Sequence, residues 1–575
     1  MAIIPNLRTR SIRGEAYVPP APRAYIDTLF DYATFTNALA TSPIGKLTGS
    51  QASSPIAIIG TGLAGLAAAY ELLRAGATNV TLFEASNRSG GRTYSAVFNA
   101  NQPEFIAELG AMRFPPTEFA LFHYLNAFGI PVSGDFPDPG IVDTTISYQG
   151  QTYSWAAGSP PPSIFNTVYN GWNAFLANGA TVDGVTLASP DSITDLLTQG
   201  NLAAANTAWQ KYIDVFENES FYSGLFKIFN GPNPPGNTNW QHPADYQLFG
   251  ALGLGSGGFG PLYPLGFLEL VRMVIDGLET DQQFVLGGIE SLATAFKQAS
   301  FNGVPLGNLI KLGTPVTGVS VDSGSGVVAL TIKGTTQKFS RAIVATSHRS
   351  AQISIGLAPG APVTPQTYGA LSELHSASSS KVIVMTKNKF WLNTPGLPAN
   401  IQTDKLVRGV YFLDYSPGNP ADPGVVILSY TWEDDSVKLL GIQDPQTLVK
   451  RLLQDVALIN PDYAEQIVPI NNDYDTYVKV IAWENEPYQY GAFKFNFPGD
   501  DILTQQLYYN YLLANNPSTD PYLYFAGESY SFHGGWTEGA ITTGLNAATA
   551  VIKSLDGTLL INPNPLTDPG PGYNY

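Results

Sequence analysis

The stretch from Pro55 to Glu84, PIAIIGTGLAGLAAAYELLRAGATNVTLFE, constrains the fold more than any other part of the chain. The apolar run Ile56 to Ile59 reads as a fully buried strand, and it breaks directly into Gly60-Thr-Gly62-Leu-Ala-Gly65. Strand, turn and helix form the context that this glycine pattern requires. The first glycine permits the tight turn, the second lets a pyrophosphate approach the backbone, and the third lets the helix from Leu63 to Leu73 pack closely on the strand. The helix N-terminus then offers free N–H groups and a positive dipole end to phosphates. A second strand, Val80 to Phe83, ends in Glu84, nineteen residues past Gly65, where a carboxylate can accept hydrogen bonds from both ribose hydroxyls of an adenosine. A 2′-phosphate would be repelled there, which disfavours NADP. The alternative, a purely structural βαβ unit, needs the glycines but not the spaced acid.

A chain of 575 residues exceeds one hydrophobic core and divides into two or three domains. Only 13% of residues are charged, while Gly (57) and Pro (43) are plentiful, as in a large, loop-rich globular protein. The net charge of −17, with no local Lys/Arg block to reverse it, disfavours nucleic acid and anionic membranes as partners and favours small-molecule chemistry. With no cysteine, there are no disulfides, thiolate metal sites, cysteine nucleophiles or cysteinyl-flavin links. His123, His242, His348, His375 and His533 lack metal-ligand spacing, so no metal is expected. The N-terminus, MAIIPNLRTRSIRGEAYVPP, has no apolar core behind its basic residues, which predicts no signal peptide and a cytoplasmic location. The uncharged 23 residues between Asp245 and Glu269 are long enough to span a bilayer. Their seven glycines and two prolines predict instead buried, loop-rich backbone lining a cavity.

Taken in order, residues 1–54 read as an N-terminal arm or removable extension around one amphipathic helix, Tyr25 to Ala40. After Glu84, the turn Arg88-Ser-Gly-Gly91-Arg92 suits phosphate contact. In Glu108-Leu-Gly-Ala-Met-Arg113-Phe-Pro-Pro an arginine stands in apolar company, where its guanidinium needs an anionic partner. That partner is either a ligand or an internal carboxylate such as Glu108. Residues 155–280 show helical periodicity and read as a helical domain inserted over a sheet. Strands dominate afterwards: the hairpin VTGVSVDSGSGVVALTI, AIVATS at Ala342, KVIVMTK from Lys381, LVRGVYFLDY from Leu406 and VVILSYTW from Val425. Near the end a buried strand reaches Gly527-Glu528, a loop carries His533, Gly534, Gly535 and Trp536, and a helix begins near Thr537. NAD needs one helix N-terminus, whereas a flavin, whose N1–C2=O edge gains negative charge on reduction, profits from two. The cofactor expected is therefore FAD, bound non-covalently.

With these pieces placed, the chain resembles the flavin amine oxidase family, in the amino-acid branch that holds L-amino-acid oxidases and bacterial tryptophan, phenylalanine and lysine 2-monooxygenases. The resemblance runs nearly end to end through GAMRFPP, FPDPGIVDT, LGSGGFGPLYPLGFLELVRMVIDG, SSKVIVMTKNKFW, LVRGVYFLDY, LSYTWEDD, GAFKFNFPG and GGWTEGA. It implies an α/β (α+β) fold in which a Rossmann-like FAD-binding domain is assembled from 55–115, 281–350 and 505–556. A mixed-sheet substrate domain takes 116–154 and 351–504, the helical domain 155–280, and a tail 557–575. It also implies that Arg113 binds the substrate α-carboxylate with support from the Tyr430 hydroxyl, that Lys381 holds a water near the flavin and assists reaction with O2, and that Trp483 and Trp536 wall the pocket. The Gly535 carbonyl would accept from the substrate amine, and Gly110, Met112 and Val316 would join Gly60, Gly62, Gly65, Glu84, Gly91, Arg92, Arg113, Gly527, Glu528 and Trp536 around the cofactor. A homodimer is implied as well. Two outcomes are open for an L-amino acid reacting with O2. An oxidase releases 2-oxo acid, ammonia and H2O2; a 2-monooxygenase decarboxylates the imino acid to an amide. Gly527-Glu528-Ser-Tyr and His533 favour the oxidase, and Trp432, Trp483 and Trp536 favour apolar or aromatic side chains.

Overall fold

A computed structural model of the chain describes residues 20–134, 136–253, 257–322, 326–357, 363–393, 397–413, 419–516, 522–570 and 572–575. The basic N-terminal stretch through residue 19, the Gly/Ser tip of the hairpin at 323–325 and the end of LVRGVYFLDY at 414–415 lie outside the described residues.

Among the described residues, one sheet has five strands, in the order Ile310–Lys311, Val80–Phe83, Ile56–Ile59, Arg341–Val344, Leu523–Phe525. All four pairings are parallel, so both faces must be covered. Alternation along the central strand shows how. Ile56 and Ile58 join a core with Leu66, Ala67, Leu545 and Ala548 from the helices Leu63–Arg74 and Thr537–Ser554. Ala57 and Ile59 face a second core with Val328 and Leu330 of the antiparallel strands that follow Val316.

The other large sheet runs Val478–Ala482, Ser379–Thr386, Gly424–Trp432, Gly409–Leu413, Asn400–Thr403, Thr144–Tyr148, Gln151–Trp155. It is antiparallel except where Asn400–Thr403 lies parallel to Thr144–Tyr148. Val382, Val384, Val426 and Leu428 pack under the helix Pro445–Ile459, whereas Ile383, Met385, Val425 and Ile427 face the helical layer and the cavity. The helical layer forms where the periodicity predicts: Asn166–Asn178, Pro190–Thr198, Leu202–Phe216, Phe221–Phe229 and Phe267–Ile275. Its core is aromatic, with Phe229 stacked on Trp240 at 3.9 Å and Trp209 on Tyr212 at 5.5 Å.

Two expectations change. The helix read over Tyr25 to Ala40 is only Tyr32–Leu39, because the Asp31 carboxylate caps it by accepting from the Thr34 N–H at 2.8 Å. Ahead of it the chain is drawn into the interior: Tyr25 donates to Glu538 at 2.7 Å, and Asp27 meets Arg272. Residues 24–47, which the sequence presents as part of an arm, thus supply core, and Gly45–Lys46 pairs with Thr558–Leu559. The stretch 557–575 is likewise anchored, with the Tyr575 hydroxyl donating to Asp27 at 3.0 Å. The uncharged stretch 246–268 forms the end of the short helix Ala244–Gly250, a turn at Gly260–Leu262 and the start of Phe267–Ile275. Tyr246, Phe249 and Phe259 pack into the aromatic core rather than line the cofactor-sized cavity described below. Among the described residues, no helix is long and apolar enough to cross a membrane.

Arg272 binds these layers together. Its guanidinium contacts Asp27 and Glu269, each at 2.5 Å, and Asp501, with all four side chains at most 2% exposed. Removing the only arginine at this junction leaves carboxylates buried without it, a change that costs about 3–5 kcal/mol. Arg272→Leu is expected to lower the urea-unfolding midpoint by that equivalent, read by tryptophan fluorescence; an unchanged midpoint would contradict this role.

Candidate active site

One cavity runs from the glycine turn at the end of Ile56–Ile59 to the aromatic end of the seven-stranded sheet. Every residue predicted for cofactor or substrate lies on its wall except Gly65. That glycine sits behind the turn, where a Cβ would come 2.2 Å from the Gly60 carbonyl oxygen. Gly60 itself holds φ +104, and a Cβ there would meet the Ala345 carbonyl oxygen at 2.5 Å. Gly62 opens onto free space beside Gly91 (φ +58), to which its neighbourhood is tied by a bridge between Gly62 and Gly90. The turn is therefore shaped for backbone approach by a phosphate, as the spacing predicts.

Glu84 stands at the end of its strand, with Oε2 accepting from the Thr61 N–H and hydroxyl (3.0 and 2.7 Å) and Oε1 from the Ser86 N–H and hydroxyl (2.9 and 2.8 Å). Those bonds fix the carboxylate at the mouth of the turn. Arg92, predicted for phosphate contact, instead donates to Glu528 at 2.6 Å and to the Ala492 carbonyl at 2.8 Å. Glu528 also accepts from the N–H groups of Lys494 and Gly535. Burial alone would raise the Glu528 carboxyl, but Arg92 and these hydrogen bonds hold it below the ordinary carboxylate range. Glu528 thus orients the Gly534–Gly535–Trp536 loop. The loop leads into Thr537–Ser554, whose N-terminus is capped by Glu118, accepting from the Glu538 N–H at 2.7 Å and from the Thr537 hydroxyl.

The floor is built from 108–113 and the strand Ser379–Thr386. Gly110 is obligatory, since a Cβ would lie 1.7 Å from the Arg92 carbonyl oxygen. Lys381 donates to the Glu108 carbonyl at 3.1 Å and to that of Gly110, and sits 4.9 Å from the Tyr430 ring centroid. Burial pushes the Lys381 ammonium down, against the pull of Glu108 and with the help of Arg113. Burial also pushes Glu108 up, opposed by hydrogen bonds from Ile289 and Ser95. Trp483 donates from Nε1 to the Leu109 carbonyl at 3.0 Å, which locks its ring against the floor.

Arg113 pairs with Glu279, not with Glu108, through two hydrogen bonds of 2.6 and 3.1 Å, and its guanidinium lies 5.3 Å from the Trp536 ring. Burial works against its charge, but Glu279 outweighs this and raises the guanidinium above its ordinary value. Glu279 and Glu118 are cavity residues that the sequence did not single out. Asp138, in the FPDPG segment, belongs to the same electrostatic group: burial pushes it to about 7 against the attraction of Arg113. Phe493 and Phe495, 5.0 Å apart, and Trp432, 5.4 Å from Phe493, form an apolar wall with Trp483 and Trp536. His533 hydrogen-bonds Asp276 at 2.9 Å, packs 4.3 Å from Tyr25 and is not on this wall.

The site accommodates a dinucleotide with a second, ring-bearing end: a glycine turn and fixed carboxylate at one extreme, an aromatic chamber with a buried guanidinium at the other. FAD fits this donor set, and without cysteine in the chain the attachment expected is non-covalent.

Comparison with known proteins agrees. A protein annotated in words as tryptophan 2-monooxygenase from Pseudomonas savastanoi is 43% identical over 552 residues, covering 96% of this chain and 98% of that protein. The tryptophan 2-monooxygenase of Pantoea agglomerans pv. gypsophilae is 45% identical, covering 94% and 96%. Among solved structures, a putrescine oxidase variant superposes with a TM-score of 0.62 at 18% identity, over 87% of this chain and 99% of that one. The cyclohexylamine oxidase of Brevibacterium oxydans IH-35A gives 0.58 at 18% identity, over 88% and 100%. These two share the fold. The family described as flavin containing amine oxidoreductase matches residues 63–552, and the chain belongs to that family of flavin-dependent enzymes.

Proposed function

We propose that the protein is an FAD-dependent L-amino-acid 2-monooxygenase acting on aromatic substrates of the tryptophan class, with the net reaction L-amino acid + O2 → amide + CO2 + H2O. The carrying observation is the similarity to tryptophan 2-monooxygenases at 43–45% identity over more than nine-tenths of the chain. It displaces the oxidase reading favoured by the sequence. One reason for that reading was His533, whose partners are Asp276 and Tyr25 and which is not on the cavity wall.

When bound, the flavin accepts a hydride from the substrate Cα and delivers the electrons to O2. The protein's part is positioning, which can supply a large share of the barrier reduction. Arg113 and Tyr430 take the α-carboxylate, the Gly535 carbonyl accepts from the amine, and the wall of Trp432, Phe493, Phe495, Trp483 and Trp536 receives the aromatic side chain. Lys381, held by two carbonyls on the floor, keeps a polar hydrogen next to the place where O2 reacts. Retaining the imino acid with peroxide requires an apolar chamber that excludes bulk water, and the buried aromatic residues supply one.

Incubation with L-tryptophan or L-phenylalanine in air is expected to yield indole-3-acetamide or phenylacetamide and CO2 with little free peroxide. The corresponding 2-oxo acid with ammonia and stoichiometric peroxide would overturn the monooxygenase reading. Arg113→Met leaves a buried carboxylate uncompensated at a cost of about 3–5 kcal/mol, and kcat/KM is expected to fall by about two to four orders of magnitude. A loss of tenfold or less would refute the carboxylate role. Gly60→Ala, which forces a Cβ against the Ala345 carbonyl, is expected to purify with a much reduced flavin absorbance per protein; full occupancy would show that the turn does not cradle the cofactor.

A further inference from the structure

The guanidinium assigned to the substrate is already engaged. Glu279 meets Arg113 through both of its carboxylate oxygens, and the two side chains are 8–9% exposed. A bidentate pair of this kind uses the same planar donors that an incoming carboxylate needs, so the two anions compete for one fork. The neighbourhood is rich in acid. Asp138 and Glu118 are buried close by, and Asp138 Oδ1 and Glu118 Oε1 have no hydrogen-bond partner among the described residues. Asp281, Lys381, Tyr411 and Tyr430 are the other titratable groups acting on this cluster. Bringing one more carboxylate into this cluster adds negative charge where water is scarce, and a buried carboxyl that loses its cation binds a proton instead.

We propose that Glu279 occupies Arg113 in the free enzyme as a stand-in for the substrate carboxylate, and that it yields the guanidinium on binding and leaves as a neutral carboxylic acid. One proton is thereby taken up from solvent onto a Glu279 carboxylate oxygen for each amine-free carboxylate bound, and no other bond changes. Glu279 is a positioning residue: it keeps Arg113 charged and aligned until a carboxylate of the right size arrives, and it sets the pH dependence of that arrival. The inference rests on the reading of Arg113 as the carboxylate ligand.

The test uses flavin-loaded enzyme and 3-phenylpropionate, a carboxylate without an amine, titrated calorimetrically in two buffers of different ionisation enthalpy. Wild type is expected to take up about one proton per site at about pH 8. In Glu279→Gln the competing charge is gone, so the affinity is expected to rise by about tenfold or more and the uptake to vanish. Asp138→Asn and Glu118→Gln are expected to keep the uptake. Wild-type uptake below about 0.2 proton, uptake that survives Glu279→Gln, or uptake lost in Asp138→Asn instead would each overturn the proposal; the wild-type measurement stands even if a variant misfolds. Arg113→Met separates the two layers. If it binds 3-phenylpropionate as well as wild type, the carboxylate role itself fails. If it loses binding while wild type shows no uptake, only the role of Glu279 fails.

Discussion

The helices Leu63–Arg74 and Thr537–Ser554 approach so closely that a Cβ on Gly544 would stand 2.5 Å from the Ala64 carbonyl oxygen. That contact brings together two helices whose starts are more than 470 residues apart in sequence. Both begin at the rim of the same cavity, one behind Gly62 and the other behind Trp536. The small side chains Ala64, Ala67 and Ala68 on one helix, with Gly544, Ala547 and Ala548 on the other, make the approach possible. Larger residues would splay the pair and pull the aromatic chamber away from the glycine turn. The distance between the two ends of the cofactor site is thus set by backbone-to-backbone packing rather than by the residues that touch a ligand.

Charge is handled in a complementary way. Few residues are charged, but several of those few are buried in groups: Arg272 with Asp27, Glu269 and Asp501; Arg92 with Glu528; Arg113 with Glu279. Buried ion pairs give little net stability against apolar replacements, yet they are severe when broken, so they fix geometry. Here the Arg272 group ties the N-terminal segment to the helical layer, and the Arg92 pair orients the loop carrying Gly535.

The cofactor half of the site was legible in the sequence because its determinants are local. Gly60, Gly62, Gly65 and Glu84 fall within one strand-turn-helix-strand unit, where spacing dictates geometry. Arg113, Lys381, Tyr430, Trp483 and Trp536 came from resemblance, and the structure gathers them from five separate segments onto one wall. Glu279 and Asp138 escaped notice for the same reason. Each is an ordinary acid in its own segment, and only the tertiary fold sets it beside a buried arginine. The available signal was the arginine's need for an anion, but nothing local distinguished Glu279 from the nearer Glu108. The segments flanking the globular core misled differently. Residues 24–47 are interrupted by turn-forming positions and show no long periodicity, yet Tyr25, Ile26 and Asp27 are almost wholly buried because other layers close over them.

The parallel sheet also carries a temporal consequence. Its central strand, Ile56–Ile59, pairs with Arg341–Val344, and that strand waits in turn for Leu523–Phe525. Contacts this distant in sequence form slowly, since a long loop must close before any pairing rewards it. During synthesis the nucleotide turn therefore emerges early but remains without its right-hand neighbours until most of the polypeptide has left the ribosome. The nascent strand edge needs protection through that interval, by chaperone or by the rapidly formed aromatic helices in between, and capture of the dinucleotide belongs to the last stage of maturation.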